Sequence, residues 1–332
     1  MLYFISVSIF LNVVLIIFFE KLSSLLGIFD KPDKERKLHK GSIASIGGVI
    51  FFLNLILFFI FLLFNNEFLN DYKLKFLNGK KQYFVFFILS SLIFFVGLID
   101  DKFNLSALKK SVFFIFIIIF TIIDKNTHIN SISLEFFENK ISTNQLAFFI
   151  SMISIFYFMN AINMFDGINI QTPLYLLLIF IFLLSKDENI VIFLFIPAVF
   201  FLFLNIRGKC FLGNSGSYFL GFIISIILIK INQANPNLLT SEEILILLSL
   251  PCFELFRLFS ERIIRQTSPF SGDLNHIHHL LSKKFSVLTT SLMTNGFIFL
   301  PLLISQFFEF KIIIFIFQFI AYYLVIYKLK SL

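Results

Sequence analysis

Residues 96–110 read VGLIDDKFNLSALKK, and this stretch decides how the rest of the chain is interpreted. An apolar run that starts near residue 83 ends here in two adjacent carboxylates, Asp100 and Asp101. Neighbouring acids at the end of a membrane helix repel each other, and they are tolerated where water, cations or a metal ion offset that repulsion. Taken alone, the pair fits solvated loop acids as well as it fits a functional site.

The composition predicts a membrane protein. Of the 332 residues, 58% are hydrophobic and 14% are charged, whereas soluble domains average roughly 25% charged residues. Apolar runs of about 20 residues recur along the chain, which predicts an all-α, polytopic helical bundle formed by one membrane-embedded domain over residues 1–332. The net charge of +7 fits basic loops that set membrane topology, so no nucleic-acid partner is expected.

Hydrophobic runs predict eleven transmembrane helices. The predicted spans are residues 2–19, 43–64, 83–99, 107–123, 145–160, 172–185, 190–204, 216–232, 242–259, 288–307 and 311–327. With the N-terminus outside, eighteen of the 27 Lys and Arg residues fall on the inner side, as the positive-inside rule expects. Five inner loops then hold most of the unusual polar sequence, at residues 20–42, 100–106, 160–172, 205–217 and 260–286. Their convergence predicts a composite enzyme or binding site on the cytoplasmic face.

Two of these loops carry charges suited to phosphate. Arg36, Lys37 and His39 belong to a dense basic cluster that suits phosphate or anionic headgroups, although such a cluster also simply sets topology. Lys109 follows the twin acids. Acids and lysines beside a membrane fit Mg²⁺ together with phosphate, because Mg²⁺ prefers carboxylate, water and phosphate oxygens.

The third and fourth loops are rich in amides and glycines. Asn160, Asn163 and Asp166 recur every three residues and so lie on one slowly turning stripe of a helix end. They can hydrogen-bond a base or ribose and coordinate a cation through oxygen, or they are ordinary helix-end polarity. Gly213 and Gly216, with the serines between and after them, precede a helix and can present N–H groups to an anion, or can serve close helix packing.

The fifth loop contains His276, His278 and His279, three of the five histidines in the chain. Histidines can form a zinc site, but the acids and amides elsewhere are hard oxygen ligands. Imidazoles that titrate near pH 7 can also donate hydrogen bonds to a diphosphate.

Taken together and in this order, the motifs resemble the polyprenyl-phosphate N-acetylhexosamine-1-phosphate transferase superfamily, glycosyltransferase family 4. The first loop, DKPDKERKLHKGSIASIGG at residues 30–48, is more similar to the undecaprenyl-phosphate GlcNAc-1-phosphate transferase branch than to the peptidoglycan branch. The resemblance covers about residues 10–285. It implies transfer of a sugar-1-phosphate from a UDP-sugar such as UDP-GlcNAc to undecaprenyl phosphate, with release of UMP and the start of a cell-surface glycan. It further implies a Mg²⁺ requirement, with Mn²⁺ as a substitute, a bacterial inner-membrane location with the site facing the cytoplasm, and it allows a homodimer.

The resemblance also implies roles for individual residues. Catalytic roles fall to Asp100, Asp101, Asp166, His278 and His279. Metal binding falls to Asp101, Asn163 and Asn214. Substrate binding falls to Arg36, Lys37, His39, Lys109, Asn160, Phe211, Gly213 and His276, with the Phe211 ring against the uracil.

Three departures from the family pattern make the site less charged than usual. Asn214 stands where relatives place the aspartate of G-D-x-G-S, and Asn169 replaces the second acid of D-G-x-D-G. The segment 273–276, Asp-Leu-Asn-His, lacks the arginine that often precedes the histidines. An amide oxygen still coordinates Mg²⁺, but with one negative charge fewer.

Two alternatives remain at this point. Within the family, the chain could be a phospho-MurNAc-pentapeptide transferase. From another class, it could be a transporter or flippase of an anionic lipid or sugar phosphate. A transporter should place ionisable residues near mid-membrane, whereas the predicted spans are almost free of charge and the polar groups sit at one interface.

Overall fold

The computed structural model describes residues 2–30, 41–64, 80–135, 140–269 and 273–331. Within these residues the helices are α1 (Leu2–Ile17), α2 (Phe19–Leu26), α3 (Gly47–Phe64), α4 (Lys80–Phe103), α5 (Ala107–Ile122), α6 (Ala147–Phe165), α7 (Gln171–Ser185), α8 (Ile192–Ile206), α9 (Gly213–Ala234), α10 (Ser241–Ile264), α11 (Ile277–Ser282), α12 (Val287–Ser305) and α13 (Lys311–Ser331). Short 3₁₀ turns cover Lys125–Thr127, Asn144–Leu146 and Asn189–Val191. Strand β1 (Phe29–Asp30) pairs antiparallel with β2 (Ile43–Ala44), and β3 (Ser131–Ile132) pairs with β4 (Ile141–Ser142).

The predicted all-α membrane bundle is confirmed, but the count of eleven spans is not. Each predicted span coincides with a helix. Among the described residues, however, seven helices are long and apolar enough to cross a membrane, or eight if α1 and α2, bent by 70°, form one span. Helix α5 has 16 residues, so it is about 24 Å long and falls short of a hydrocarbon core of about 30 Å. Helix α10 carries buried Glu254 and Arg257 in its apolar run.

Helix α9 is the centre of the bundle. Every residue from Ser215 to Asn232 is buried, and α4 and α6 are its most extensive neighbours. Gly97 permits the close approach of α4, because a Cβ atom at this position would lie 2.6 Å from Ser215 Cα. The absence of a side chain therefore brings the acid-bearing end of α4 against the first turn of α9.

Phenylalanine fills the core where α3, α4 and α9 meet. The rings of Phe52 and Phe94 stack with centroids 4.1 Å apart, and Phe219 packs edge-on against Phe94 at 5.9 Å. Offset and edge-to-face arrangements are the favourable geometries for aromatic pairs. This packing fixes the relative positions of the three helices whose ends carry site residues.

The predicted loop boundaries are wrong in several places, because helices extend into the polar segments. Asp100 and Asp101 lie in the last turn of α4 instead of a loop at 100–106, and Asn160 and Asn163 lie within α6. The 205–217 segment is divided between the end of α8 and the start of α9, and the 260–286 segment contains the end of α10 and all of α11. Apolarity marks what the membrane buries, whereas helical hydrogen bonding continues through the polar turn that follows.

Candidate active site

Asp101 of α4 caps the N-terminus of α9. Its Oδ1 accepts the N–H of Asn214 at 2.7 Å, and its Oδ2 accepts the N–H of Ser215 at 2.9 Å. Gly213 precedes these donors with φ +76°, and a Cβ there would lie 2.9 Å from Asp101 Oδ2. Two N–H donors and the positive end of the helix dipole stabilise a carboxylate. Asp101 is therefore held in a fixed orientation against the glycine-rich segment.

Asp100 has different partners. Its Oδ2 lies 3.0 Å from Lys110 Nζ, and its side chain is 2% exposed. The Lys110 ammonium also lies 5.4 Å from the centroid of the Tyr218 ring. Adjacent residues on a helix point in different directions. The repulsion between the twin acids is thus offset by a lysine for Asp100 and by a helix terminus for Asp101.

Asn163 joins α6 to the same place. Its Nδ2 donates to Asn214 Oδ1 and to Ser217 Oγ, both at 2.8 Å. The predicted metal-binding residues Asp101, Asn163 and Asn214 are therefore linked in one cluster. Asn160, one turn earlier, instead donates to the Phe156 carbonyl of its own helix at 2.7 Å.

Asp166 ends α6 beside this cluster. Its N–H donates to the Ile162 carbonyl at 3.0 Å. Burial raises the pKa of the Asp166 carboxyl to about 7; the neighbouring Thr172 hydroxyl lowers the pKa in part, and the charge of Asp101 raises it further. Asp166 is therefore near enough to Asp101 for the two charges to interact.

The three histidines form one group beside the Asp166 turn. The ring centroids of His276, His278 and His279 are 4.4 to 5.9 Å apart. A Cβ on Gly167 would lie 2.0 Å from His278 Nε2, so only glycine admits this imidazole. Burial lowers the pKa of His276 to about 3 and also lowers the pKa values of His278 and His279. The rings are therefore neutral at pH 7 and donate through one N–H each, a correction to the expectation of titration near neutrality.

Gln171 orients His278. The Gln171 side chain is fully buried, and its Nε2 donates to the Phe165 carbonyl at 2.7 Å and lies 3.4 Å from His278 Nδ1. Because an amide Nε2 only donates, His278 Nδ1 accepts and the ring proton sits on Nε2. His278 Nε2 is buried without a partner among the described residues and lies against Gly167, so the ring carries one unsatisfied donor.

A charged network that sequence reasoning missed anchors the histidine segment. Glu254 accepts the N–H of Ile277 at 2.8 Å, and Arg257 donates to Glu254 at 2.5 Å and to the Asn275 carbonyl at 2.7 Å. The Tyr322 hydroxyl of α13 also donates to Glu254. The sequence did contain a signal for this network, because Glu254 and Arg257 stand three residues apart inside an apolar run. Charged residues are costly in a membrane and are kept where they pair.

The remaining predicted residues are less closely tied to the cluster. The Phe211 backbone pairs with Ala44 and Gly47, each at 2.9 Å, which holds it two residues before Gly213. Lys109 is exposed beside Lys110. Arg36, Lys37 and His39 lie outside the described residues.

The donor set favours a hard cation over zinc. Among the described residues, no three His, Cys, Asp or Glu side chains are placed to share a metal ion. The linked oxygen donors are the carboxylate of Asp101 and the amides of Asn163 and Asn214. Carboxylate and amide oxygens fit Mg²⁺, which takes few protein ligands and several from water and phosphate.

Comparison with known proteins agrees with this geometry. Residues 83–232 match the model of glycosyl transferase family 4, a segment that contains both acids of α4, the end of α6 and α9 as far as Asn232. Undecaprenyl-phosphate alpha-N-acetylglucosaminyl 1-phosphate transferases are similar over most of the chain. The protein from Thermotoga maritima is 28% identical over 88% of this chain and 84% of its own length. The Salmonella typhi and Escherichia coli K12 proteins are 25% and 24% identical over 83% of this chain and 75% of their own. Over residues 83–232 the chain is therefore similar to glycosyl transferase family 4.

Proposed function

We propose that this protein transfers an N-acetylhexosamine-1-phosphate from a UDP-sugar, with UDP-GlcNAc as the first candidate, to undecaprenyl phosphate. The observation that carries the proposal is the joining of Asp101, Asn214 and Asn163 at one end of the bundle, with Asp166 beside them. The names of the similar transferases supply undecaprenyl phosphate and the N-acetylglucosaminyl 1-phosphate group, and the family resemblance supplies the UDP carrier. UMP is released, and the lipid-linked sugar diphosphate starts a cell-surface glycan.

The reaction is a phosphoryl transfer. A phosphate oxygen of the lipid attacks the phosphorus that bears the sugar, the bond from that phosphorus to the bridging oxygen breaks, and the bridging oxygen leaves with UMP. Two anions must meet, so catalysis consists mainly of positioning and charge neutralisation. Asp166, whose pKa lies near neutrality, is suited to take a proton from a lipid monophosphate. Asp100 holds Lys110, whose ammonium can face the incoming phosphate.

Mg²⁺ is the proposed cofactor, with Mn²⁺ as a substitute. Asp101, Asn163 and Asn214 would hold the ion, and the rest of its coordination would come from water and phosphate oxygens. When bound, it supplies the positive charge that neutralises the diphosphate. The negative charge of Asp101, which raises the pKa of Asp166, is one that a divalent ion would offset.

The other proposed contacts surround this centre. His276, His278 and His279 donate to diphosphate or sugar oxygens as neutral imidazoles. Phe211 and Gly213 contact the nucleotide from the segment before α9. Lys109, Asn160 and the cluster of Arg36, Lys37 and His39 are proposed phosphate and nucleotide contacts that rest on the family resemblance.

The proposal also covers the membrane location and the orientation of the protein. The protein is a multi-pass component of a bacterial inner membrane, and the cluster faces the cytoplasm, where UDP-sugars are found. The excess of Lys and Arg on the predicted inner side supports this orientation. A homodimer is the family-based expectation, which crosslinking in native membranes tests.

The experiment compares two Asp→Asn variants in membranes given Mg²⁺, undecaprenyl phosphate and sugar-labelled UDP-GlcNAc. Asp101→Asn should abolish label transfer to the lipid phase, because it removes the charge at the proposed metal site. Asp187→Asn changes an exposed acid in the α7–α8 turn and should retain wild-type transfer. Wild-type transfer in Asp101→Asn membranes with matched protein amounts would overturn the assignment.

A further inference from the structure

A cavity lies far from the candidate active site. It is a groove of about 580 Å³ with α4 and α5 as its walls and α9 as its floor. Val85, Ile88 and Leu89 of α4 face Phe222 and Ile226 of α9 across it. Leu89 and Asp101 are twelve residues apart on one helix, so the groove begins about 18 Å from the twin acids.

The groove is apolar along its length and basic at its far end. Lys230 of α9 lines that end with 4% of its surface exposed, and its Nζ lies 3.5 Å from Asp124 Oδ2. Lys81, at the exposed start of α4, lines the same end. Among the described residues, two ammonium groups and one carboxylate therefore line the groove. A buried lysine in a membrane helix is costly and marks a functional site more often than a structural one.

A groove in the lipid-facing surface of a membrane protein is filled by hydrocarbon, because unfilled space forfeits dispersion contacts. A cation at the end of an apolar groove selects an amphiphile with a negative headgroup, as basic pockets between transmembrane helices do. We propose that this groove binds one acyl chain of an anionic phospholipid, with its phosphate at Lys230 and Lys81.

The acceptor lipid of the proposed reaction is a different ligand. Its phosphate must reach Asp101, at the opposite end of α4 from Lys81. A headgroup at Lys230 belongs to a lipid from the other half of the bilayer. Because α4 and α9 carry both sites, an acyl chain wedged between them supports the packing that positions Asp101 against Asn214.

Native mass spectrometry of the full chain, released from detergent with added phosphatidylglycerol, phosphatidylcholine or undecaprenyl phosphate, tests the proposal. The wild type should retain phosphatidylglycerol at least fivefold more than phosphatidylcholine. Ile88→Trp, which fills the groove, and Lys230→Met, which removes the cation, should each lower that retention at least fivefold.

Matched controls separate groove occupancy from general lipid adhesion. Leu92→Trp alters an α4 residue that is 45% exposed, against 40% for Ile88, and Lys125→Met removes an exposed cation beside Asp124. Both lie outside the groove lining and should retain phosphatidylglycerol like the wild type. Equal retention of the two phospholipids, preferential retention of undecaprenyl phosphate, or retention by Ile88→Trp and Lys230→Met at the level of their controls would overturn the proposal. Thermal unfolding of each variant verifies that it is folded. If Lys230→Met does not fold, the retention of phosphatidylglycerol by Ile88→Trp decides the test.

Discussion

Asp101 and Asn214 are joined at the start of the central helix: the backbone N–H of Asn214 lies 2.7 Å from the carboxylate of Asp101. The same Asn214 accepts a hydrogen bond from Asn163 on its side-chain oxygen at 2.8 Å. One residue thus connects the last turn of α4, the first turn of α9 and the end of α6. Any ion or phosphate bound here is held by three helices, and small changes in this contact should affect both stability and turnover.

Asp101→Asn should lower both the stability and the turnover of the purified chain. An amide presents one acceptor oxygen, so one of the two N–H donors loses its carboxylate partner, which costs about 1–3 kcal/mol in the free energy of unfolding. Turnover should fall at least a hundredfold. Thermal unfolding and UMP release measure the two effects. Loss of stability with full turnover would mean that Asp101 is only a helix cap.

Asn214→Asp should strengthen binding of Mg²⁺. It places a second carboxylate beside Asp101 while keeping an oxygen that accepts from Asn163. Without metal, the added repulsion should lower the melting temperature, and Mg²⁺ should raise it more in the variant than in the wild type because ligand binding stabilises the folded state. Melting curves across a Mg²⁺ titration measure this, with Asn214→Ala as the control. A Mg²⁺ response no larger than that of the alanine variant would place residue 214 away from the ion.

Gln171→Leu should lower kcat/KM for the UDP-sugar about tenfold, because His278 Nδ1 loses the donor that keeps the ring proton on Nε2. Tyr175→Phe is the matched control: it also removes a buried donor from α7, the hydroxyl bound to the Leu247 carbonyl at 2.9 Å. Both variants should lose stability, by about 1 kcal/mol, since each removes one hydrogen bond to a buried carbonyl. Equal losses of kcat/KM in the two variants would show that Gln171 acts only through stability.

The buried His276 should make the protein less stable in acid. Its pKa is about 3 in the folded chain and about 6.5 when unfolded, so between these values the unfolded chain binds a proton that the folded chain does not. This group therefore lowers the free energy of unfolding only below pH 6.5. The loss grows as the pH falls, by up to about 1.4 kcal/mol per pH unit. In His276→Gln, the free energy of unfolding should depend less steeply on pH between 6.5 and 5. Identical slopes would contradict burial of a neutral imidazole, since the other titrating groups are common to both chains.

Much of the fold follows from the sequence, because apolar runs locate membrane helices directly. The helix ends do not follow from it. Asp101 was expected in a loop and Asn163 at a helix end. Both continue the hydrogen bonding of α4 and α6, and polarity alone cannot show where that bonding stops. The number of membrane-spanning helices also depends on helix length and on buried charge. Helix α5 has only 16 residues, and α10 carries buried Glu254 and Arg257.

The candidate site was predictable as a set of residues but not as a set of contacts. Motif order placed Asp101, Asn163 and Asn214 at one end of the bundle, yet the capping of α9 by Asp101 depends on a close helix approach that Gly97 permits. The anchoring of Ile277 by Glu254 joins residues 23 positions apart and depends on how α10 and α13 pack. Such long-range partners are set by tertiary structure, which spacing along the chain does not encode.

The most direct test of the central claim is to supply the purified protein with undecaprenyl phosphate, Mg²⁺ and each of a panel of UDP-N-acetylhexosamines, and to quantify UMP and lipid-linked sugar together. The account predicts equal molar amounts of the two products with at least one UDP-sugar, and neither product when Mg²⁺ is chelated. No UMP and no lipid-linked sugar from any member of the panel would contradict it.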